Sequence, residues 1–187
     1  MRSASTRRTA VYASSNNGQG ALTQGLEVME VFHTQRPWNA QRPTTIVIAC
    51  SDGRFQEEVD EFLQRHLAID HYDRLYVPGG AGALVTSGTE FIRADRFLTE
   101  CRFLIEGHGI ERVILLFHGP AADGPAEALC GDYQRRLPTS PPASIRRQQD
   151  RDAEWIWREG LGDGVRLEIY RCEVAADGLV RFVQMYV

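Results

Sequence analysis

The run TTIVIAC, at residues 44–50, is the feature of the sequence that most limits the fold. It is apolar and β-branched, and polar and apolar residues do not alternate in it. Such a run is typical of a central strand in a parallel sheet that is covered on both faces. Two more apolar runs, RLYVPGG and ERVILLFHG, follow along the chain, with helical sequences between them. This alternation predicts an α/β domain with a mostly parallel central sheet flanked by helices.

The remaining elements are predicted from periodicity and from breaking residues. The last two apolar runs, VRLEIYRCEV and LVRFVQMYV, are joined through AADG, which predicts a closing hairpin. The charge run RRQQDRD is typical of a solvated helix face. Helices are predicted at FQEEVDEFLQRHL, SGTEFIRADRFLTECRFLIEGHG, AEALCGDYQRRL and ASIRRQQDRDAEWIWREGLG.

The N-terminal part of the chain is predicted to be an arm rather than part of the core. Apolar residues recur at helical spacing over Leu22–His33, and the proline-containing linker QRPWNAQRP follows. We therefore expect an arm with an amphipathic helix over residues 1–43 and a single α/β domain over residues 44–187. The arm has no acidic residue before Glu27, a bias that organelle transit peptides share with flexible bacterial arms.

The composition excludes several classes of function. The formal net charge of -4 gives no concentrated basic surface, so no nucleic-acid partner is expected. All 21 basic residues are Arg, so a lysine Schiff base and a phosphate-loop lysine are excluded. No apolar run approaches the roughly 20 residues of a membrane span, and no membrane partner is expected. Four widely spaced cysteines without a secretory signal favour a reduced, cytoplasmic setting with thiols free or bound to a metal.

Three polar or glycine-rich segments follow the predicted parallel strands: CSDGR, GGAGA and HGPAADG. Because the carboxyl ends of parallel strands meet at one edge of a sheet, these segments are expected to lie together. Cys50 and His118 are ligand types that suit zinc, and Asp52 is a third candidate ligand. Arg54 is positioned to pair with Asp52 and hold it away from the metal. These residue types therefore predict a metal site at this edge of the sheet.

Other interpretations of the same residues remain open or fail on spacing. Cys50 alone is equally compatible with a small buried hydrophobe, or with a thiol nucleophile that uses His118 as its base. A cysteine phosphatase loop needs five residues between its Cys and Arg, and Arg54 follows after three. GGAGALVTSG matches neither the dinucleotide fingerprint nor the phosphate loop, and we expect a tight turn there that lets the backbone pass close to the site.

The segment CSDGR resembles a motif of the β-class carbonic anhydrases, Cys-x-Asp-x-Arg, which lies at the end of their first core strand. Cys50-Ser51-Asp52-Gly53-Arg54 matches it in full. The family's second motif is a His, two residues, a Cys and a Gly. Here His118 matches, but Ala121 and Ala122 stand in the last two positions. The family's Arg-Asn-Ala-Gly-Asn loop is kept only as its Ala and Gly, and the order of elements agrees over most of the chain.

The resemblance implies a zinc site with Cys50 and His118 as ligands. Asp52 is then either a further ligand or, paired with Arg54, the catalytic group that orients the nucleophile. Asp123 and Cys130 are alternative substitutes for the missing cysteine, and the sequence does not choose between them.

The implied activity is that of a lyase: reversible hydration of carbon dioxide to bicarbonate, or of a related small electrophile, by a zinc-bound hydroxide. The alternative is a non-catalytic or regulatory relative that has lost the metal. The family also forms dimers in which the N-terminal helix embraces the partner subunit, so a homodimer or a higher homo-oligomer is expected.

Overall fold

The centre of the molecule is a five-stranded sheet in the order β2-β1-β3-β4-β5. The computed structural model describes residues 30–86 and 91–187. The first four strands are parallel, and β5 is antiparallel to β4, as predicted for the closing hairpin. The strands are β1 (Thr45–Cys50), β2 (Asp73–Val77), β3 (Arg112–Pro120), β4 (Arg166–Val174) and β5 (Val180–Tyr186). The predicted α/β class with a mostly parallel sheet is confirmed.

Helices cover both faces of this sheet. Their bounds are α1 (Gln56–Glu61), extended by a π-helical turn (Phe62–His66), α2 (Phe91–His108), α3 (Gly131–Arg136) and α4 (Pro142–Glu159). Short 3₁₀ turns lie at Gly53–Phe55, Gly80–Leu84 and Ala126–Ala128.

Burial on both faces explains why β1 lacks polar alternation. Ile46 and Ile48 belong to the larger apolar cluster, which includes residues of α2 and α4. Val47 and Ala49 belong to a second cluster with residues of α1. The side chains of these four residues are buried, so each position along the strand favours an apolar residue.

The predicted helix over AEALCGDYQRRL is interrupted. The Ala126–Ala128 turn is followed by extended backbone at Leu129 and Cys130, with ψ values of 139° and 118°, before α3 begins at Gly131. Leu129 and Cys130 are both buried in the larger cluster. The extended backbone places the Cys130 thiol beside Cys50 and His118 rather than on a continuous helix.

The chain divides at Asn39 into a first unit and a compact unit, Ala40–Val187. The division lies close to the predicted end of the arm at residue 43. Most of the predicted helix Leu22–His33 falls outside the described residues, and its last four positions, 30–33, are not helical. Val31 and Phe32 in this part are exposed.

None of the helices within residues 30–86 and 91–187 combines the length and apolar character needed to cross a bilayer.

Candidate metal centre

Three potential metal ligands meet at the carboxyl edge of the sheet. Cys50 ends β1, His118 lies near the end of β3, and Cys130 occupies the extended break before α3. One ligand atom from each, the two sulfurs and an imidazole nitrogen, lie within 4.8 Å of one another. The structure thus brings Cys50 and His118 together, as the sequence predicts. Of the two substitutes considered, it is Cys130 and not Asp123 that lies in the group.

The two thiols of this group interact directly, and each affects the ionisation of the other. The Cys130 thiol, and to a smaller extent the His118 ring and the Gly79 N–H at 3.4 Å from Cys50 Sγ, stabilise the Cys50 thiolate. The pKa of Cys50 is therefore well below the ordinary 9.0, although burial opposes this shift. The pKa of Cys130 is raised, because Cys50 and burial both favour its protonated form. The half-buried Cys50 is thus the thiol that ionises first.

His118 is buried without the hydrogen bonds that a buried imidazole normally makes. Its exposed fraction is 4%, and its ring lies against Phe55 with 4.4 Å between ring centroids. Within the part of the chain that the structure describes, neither Nδ1 nor Nε2 has a hydrogen-bond partner. An unsatisfied buried polar group carries a desolvation cost that a bound cation would remove. The two sulfurs beside this ring complete a donor set typical of zinc.

Asp52 lies beside this group but is bound to Arg54. Arg54 Nε donates to Oδ1 at 2.9 Å, Nη2 donates to Oδ2 at 2.6 Å, and the Arg54 N–H donates to Oδ1 at 3.1 Å. The guanidinium holds the pKa of Asp52 at about 2. Arg54 Nη1 also donates to the carbonyl of Glu127 at 2.8 Å. The carboxylate is therefore ionised and fixed, and Asp52 is not among the three grouped ligands.

The glycines of GGAGA bring the backbone close to the site. Gly79 and Gly80 have φ values of +92° and +53°. A Cβ at Gly80 would lie 2.7 Å from both the Cys50 nitrogen and the Leu116 carbonyl oxygen. No side chain fits there, and this close approach is the role that the sequence predicts for the segment.

Gln149 on α4 also supports the site. It was not identified from the sequence, because it lies in the charge run RRQQDRD. The side chain is 2% exposed, and its Nε2 donates to the carbonyl of His118 at 2.9 Å. Asp152, also in this run, is buried and accepts a hydrogen bond from Tyr133 Oη at 2.6 Å. The prediction of a wholly solvated face is therefore wrong, because the buried positions 145, 149, 152 and 156 recur at helical spacing.

A small cavity of about 10 Å³ lies beside Cys50 and His118. This is about the space that one water molecule needs. Its walls are mostly apolar, and its lining comprises Ala49, Cys50, Phe55, Gln56, Val59, Tyr76, Leu116, Phe117, His118 and Cys172. The pKa of Cys172 is raised by burial, so this thiol remains protonated at neutral pH.

Residues 40–130 match the model of a protein family described as "putative carbonic anhydrase". The resemblance to the carbonic anhydrases is confirmed. The matched segment contains Cys50, His118 and Cys130, as well as Asp52 and Arg54. No curated protein matches the sequence significantly.

Several solved structures of carbonic anhydrases are similar to this chain at low sequence identity. The carbonic anhydrase from Streptococcus mutans is 18% identical, with a TM-score of 0.40, over 76% of this chain and 82% of that one. The enzyme from Glaciozyma antarctica is 14% identical, with a TM-score of 0.42, over 80% and 85%. The apo form of carbon disulfide hydrolase is 14% identical, with a TM-score of 0.42, over 75% and 78%.

Proposed function

We propose that this chain is a zinc-dependent carbonic anhydrase that catalyses the reversible hydration of carbon dioxide. The observation that carries the proposal is the Cys50, His118 and Cys130 group beside an ionised Asp52. All four residues lie within the segment that matches the carbonic anhydrase family. The missing cysteine of the second motif is replaced, in this proposal, by a cysteine from farther along the chain.

The donor set fits zinc. Two thiolates and an imidazole from Cys50, Cys130 and His118 would hold the ion and leave one of four positions for water, as in catalytic zinc sites. When bound, zinc supplies a water molecule whose pKa lies near neutrality and which can attack carbon dioxide. The buried His118 ring, which has no hydrogen-bond partner among residues 30–86 and 91–187, would gain the ion as its partner.

Asp52 acts in this proposal as an orienting group and not as a ligand. Both of its oxygens accept hydrogen bonds from Arg54, which fixes the carboxylate. Oδ1 also accepts the Arg54 backbone N–H, so it is Oδ2 that has a second lone pair to accept a hydrogen bond from the attacking water. A fixed acceptor of this kind aligns the water's lone pair with the carbon of the substrate.

The cavity favours a small, uncharged substrate. Phe55 and Val59 give it apolar walls, and its volume is about 10 Å³. Carbon dioxide is small and has no net dipole, so little hydration is lost when it enters. A large organic substrate would require the walls to move.

Zinc analysis of protein purified without chelators tests the site. We expect one zinc per chain in the wild type and loss of zinc in Cys130→Ala. The control is Cys101→Ala, which removes a buried thiol from the core and should keep one zinc per chain. The variants Cys50→Ala and His118→Ala should also lose zinc. Stoichiometric zinc in Cys130→Ala would contradict the proposed ligand set.

Stopped-flow measurement of carbon dioxide hydration then tests catalysis. We expect the zinc-loaded wild type to hydrate carbon dioxide and Cys130→Ala to be inactive. A zinc-loaded protein with a rate no better than buffer would favour the non-catalytic alternative. The resemblance also implies a homodimer or a higher homo-oligomer, and light scattering would then give at least twice the chain mass of 21.1 kDa.

A further inference from the structure

We propose that Gln149 is a positioning residue that holds the His118 ligand in place through its backbone. The inference rests on the proposed function, since it concerns the same metal site. It is carried by three observations: where the pairing between β1 and β3 ends, the absence of hydrogen bonds to the His118 ring, and the burial of the Gln149 amide.

β3 extends beyond its pairing with β1. The last paired residues of these strands are Ile48 and Leu115, whereas β3 continues to Pro120. The backbone of His118 is therefore not paired with β1, and on its other side it is paired with Cys172 of β4. Gln149 Nε2 donates to the His118 carbonyl at 2.9 Å in this region. The Gln149 side chain thus holds β3 at a point beyond the end of its pairing with β1.

The His118 ring lacks the usual support of a metal-binding histidine. Such a histidine normally donates its second ring N–H to a carboxylate, a carbonyl or water, which fixes the ring's orientation. Among residues 30–86 and 91–187, no group forms a hydrogen bond to either ring nitrogen of His118. Contact with Phe55 limits the ring on one side. The position of the imidazole therefore depends mainly on the position of the His118 backbone.

The bond between Gln149 and His118 is well suited to this role. Gln149 is 2% exposed, so water does not compete for its amide. A buried carbonyl that loses its donor carries a cost of about 1–3 kcal/mol, and the strand is expected to shift to recover a partner. Because the imidazole is attached to the same residue, this shift moves the ligand nitrogen away from Cys50 and Cys130.

The test compares two isosteric substitutions on α4. Gln149→Met keeps the volume of the side chain and removes its amide donor. Gln148→Met is the matched control, because the half-buried Gln148 donates to Asp152 Oδ1 within the same helix and not to β3. Zinc affinity is measured by competition with a chromophoric chelator, and the visible absorption of Co²⁺-substituted protein reports ligand geometry. Thermal unfolding is recorded for each variant.

We expect Gln149→Met to weaken zinc binding by about 10-fold and to change the Co²⁺ spectrum. Gln148→Met should leave both unchanged. Should Gln149→Met fail to fold, Gln149→Asn takes its place, because its amide is too short to reach the His118 carbonyl, and the same changes are expected.

Wild-type zinc affinity and Co²⁺ spectrum in a folded Gln149 variant, with only its melting temperature lowered, would show a purely structural role and overturn the inference. A wild-type protein that binds no zinc would overturn the proposed function and this inference with it. The two failures are distinguishable, because the second is seen before any variant is made.

Discussion

Arg54 binds both carboxylate oxygens of Asp52, through Nε at 2.9 Å and through Nη2 at 2.6 Å. The same guanidinium donates through Nη1 to the carbonyl of Glu127, in the turn that leads to Cys130. One side chain therefore fixes the Asp52 carboxylate and ties it to the segment that carries Cys130. Because Arg54 holds its carboxylate, Asp52 remains outside the group of three potential ligands although it lies two residues from Cys50.

Replacing Arg54 tests whether the fixed carboxylate matters for catalysis. Arg54→Gln should lower the hydration rate by about 100-fold and leave the zinc content unchanged, because Asp52 is released but the ligands are not. Arg65→Gln is the control, since it breaks an exposed ion pair with Glu61 away from the site. Stopped-flow hydration and zinc analysis measure the two effects. An unchanged rate in Arg54→Gln would refute the orienting role of Asp52.

Asp123 was the other candidate for the missing ligand, and the structure leaves it out of the group. Asp123→Asn removes the charge and keeps the size of this exposed residue. We expect its zinc stoichiometry and hydration rate to equal those of the wild type. Loss of zinc from this variant would show that Asp123 belongs to the coordination sphere and would move the site away from Cys130.

The close packing of the glycine segment against α3 predicts a difference between two Gly→Ala substitutions. A Cβ at Gly82 would lie 2.3 Å from Tyr133 Oη, and the buried Tyr133 cannot move freely because Oη donates to Asp152. Gly82→Ala should lower the free energy of unfolding by about 1–3 kcal/mol.

Gly107 in α2 provides the contrast. A Cβ there would meet nothing within 4 Å, so Gly107→Ala should raise the free energy of unfolding by up to about 1 kcal/mol through its helix propensity. Urea unfolding measures both variants. Equal stabilities for the two would mean that the segment next to the site is not tightly packed.

Acid should destabilise the fold through Glu173, a fully buried carboxylate on β4. Burial alone would raise its pKa, but Arg171, Arg146 and Arg181 outweigh burial and hold the pKa below 4.5. The stability that this interaction provides is complete above pH 4.5 and is lost as the pH falls towards the lowered pKa. Urea unfolding between pH 7 and pH 3 should show this loss.

The variant Glu173→Gln identifies the group responsible. It should be less stable than the wild type by about 3 kcal/mol at neutral pH, because the arginines lose their buried partner. Its stability should also depend less on pH below 4.5 than that of the exposed control Glu61→Gln. Parallel pH profiles for the two variants would assign the acid sensitivity to other carboxylates.

Local sequence was sufficient to predict the sheet and the first half of the site. The burial of β1 on both faces requires an apolar, non-alternating strand, and the sequence shows such a run directly. Cys50, Asp52 and Arg54 are neighbours along the chain, so their proximity needs no long-range information. The pairing of Asp52 with Arg54 follows from this spacing and is present in the structure.

The position of Cys130 beside Cys50 and His118 was decided by tertiary structure. Helical periodicity continues through AEALCGDYQRRL, and it gives no sign of the extended backbone at Leu129 and Cys130. At that break both side chains are buried in the core, where they contact segments that are far away in the sequence. Gln149 was hidden for the same reason, since its burial depends on the packing of α4 against the strand that carries His118. Sequence alone thus determined the sheet and the Cys50 loop, whereas long-range packing decided which residues complete and support the site.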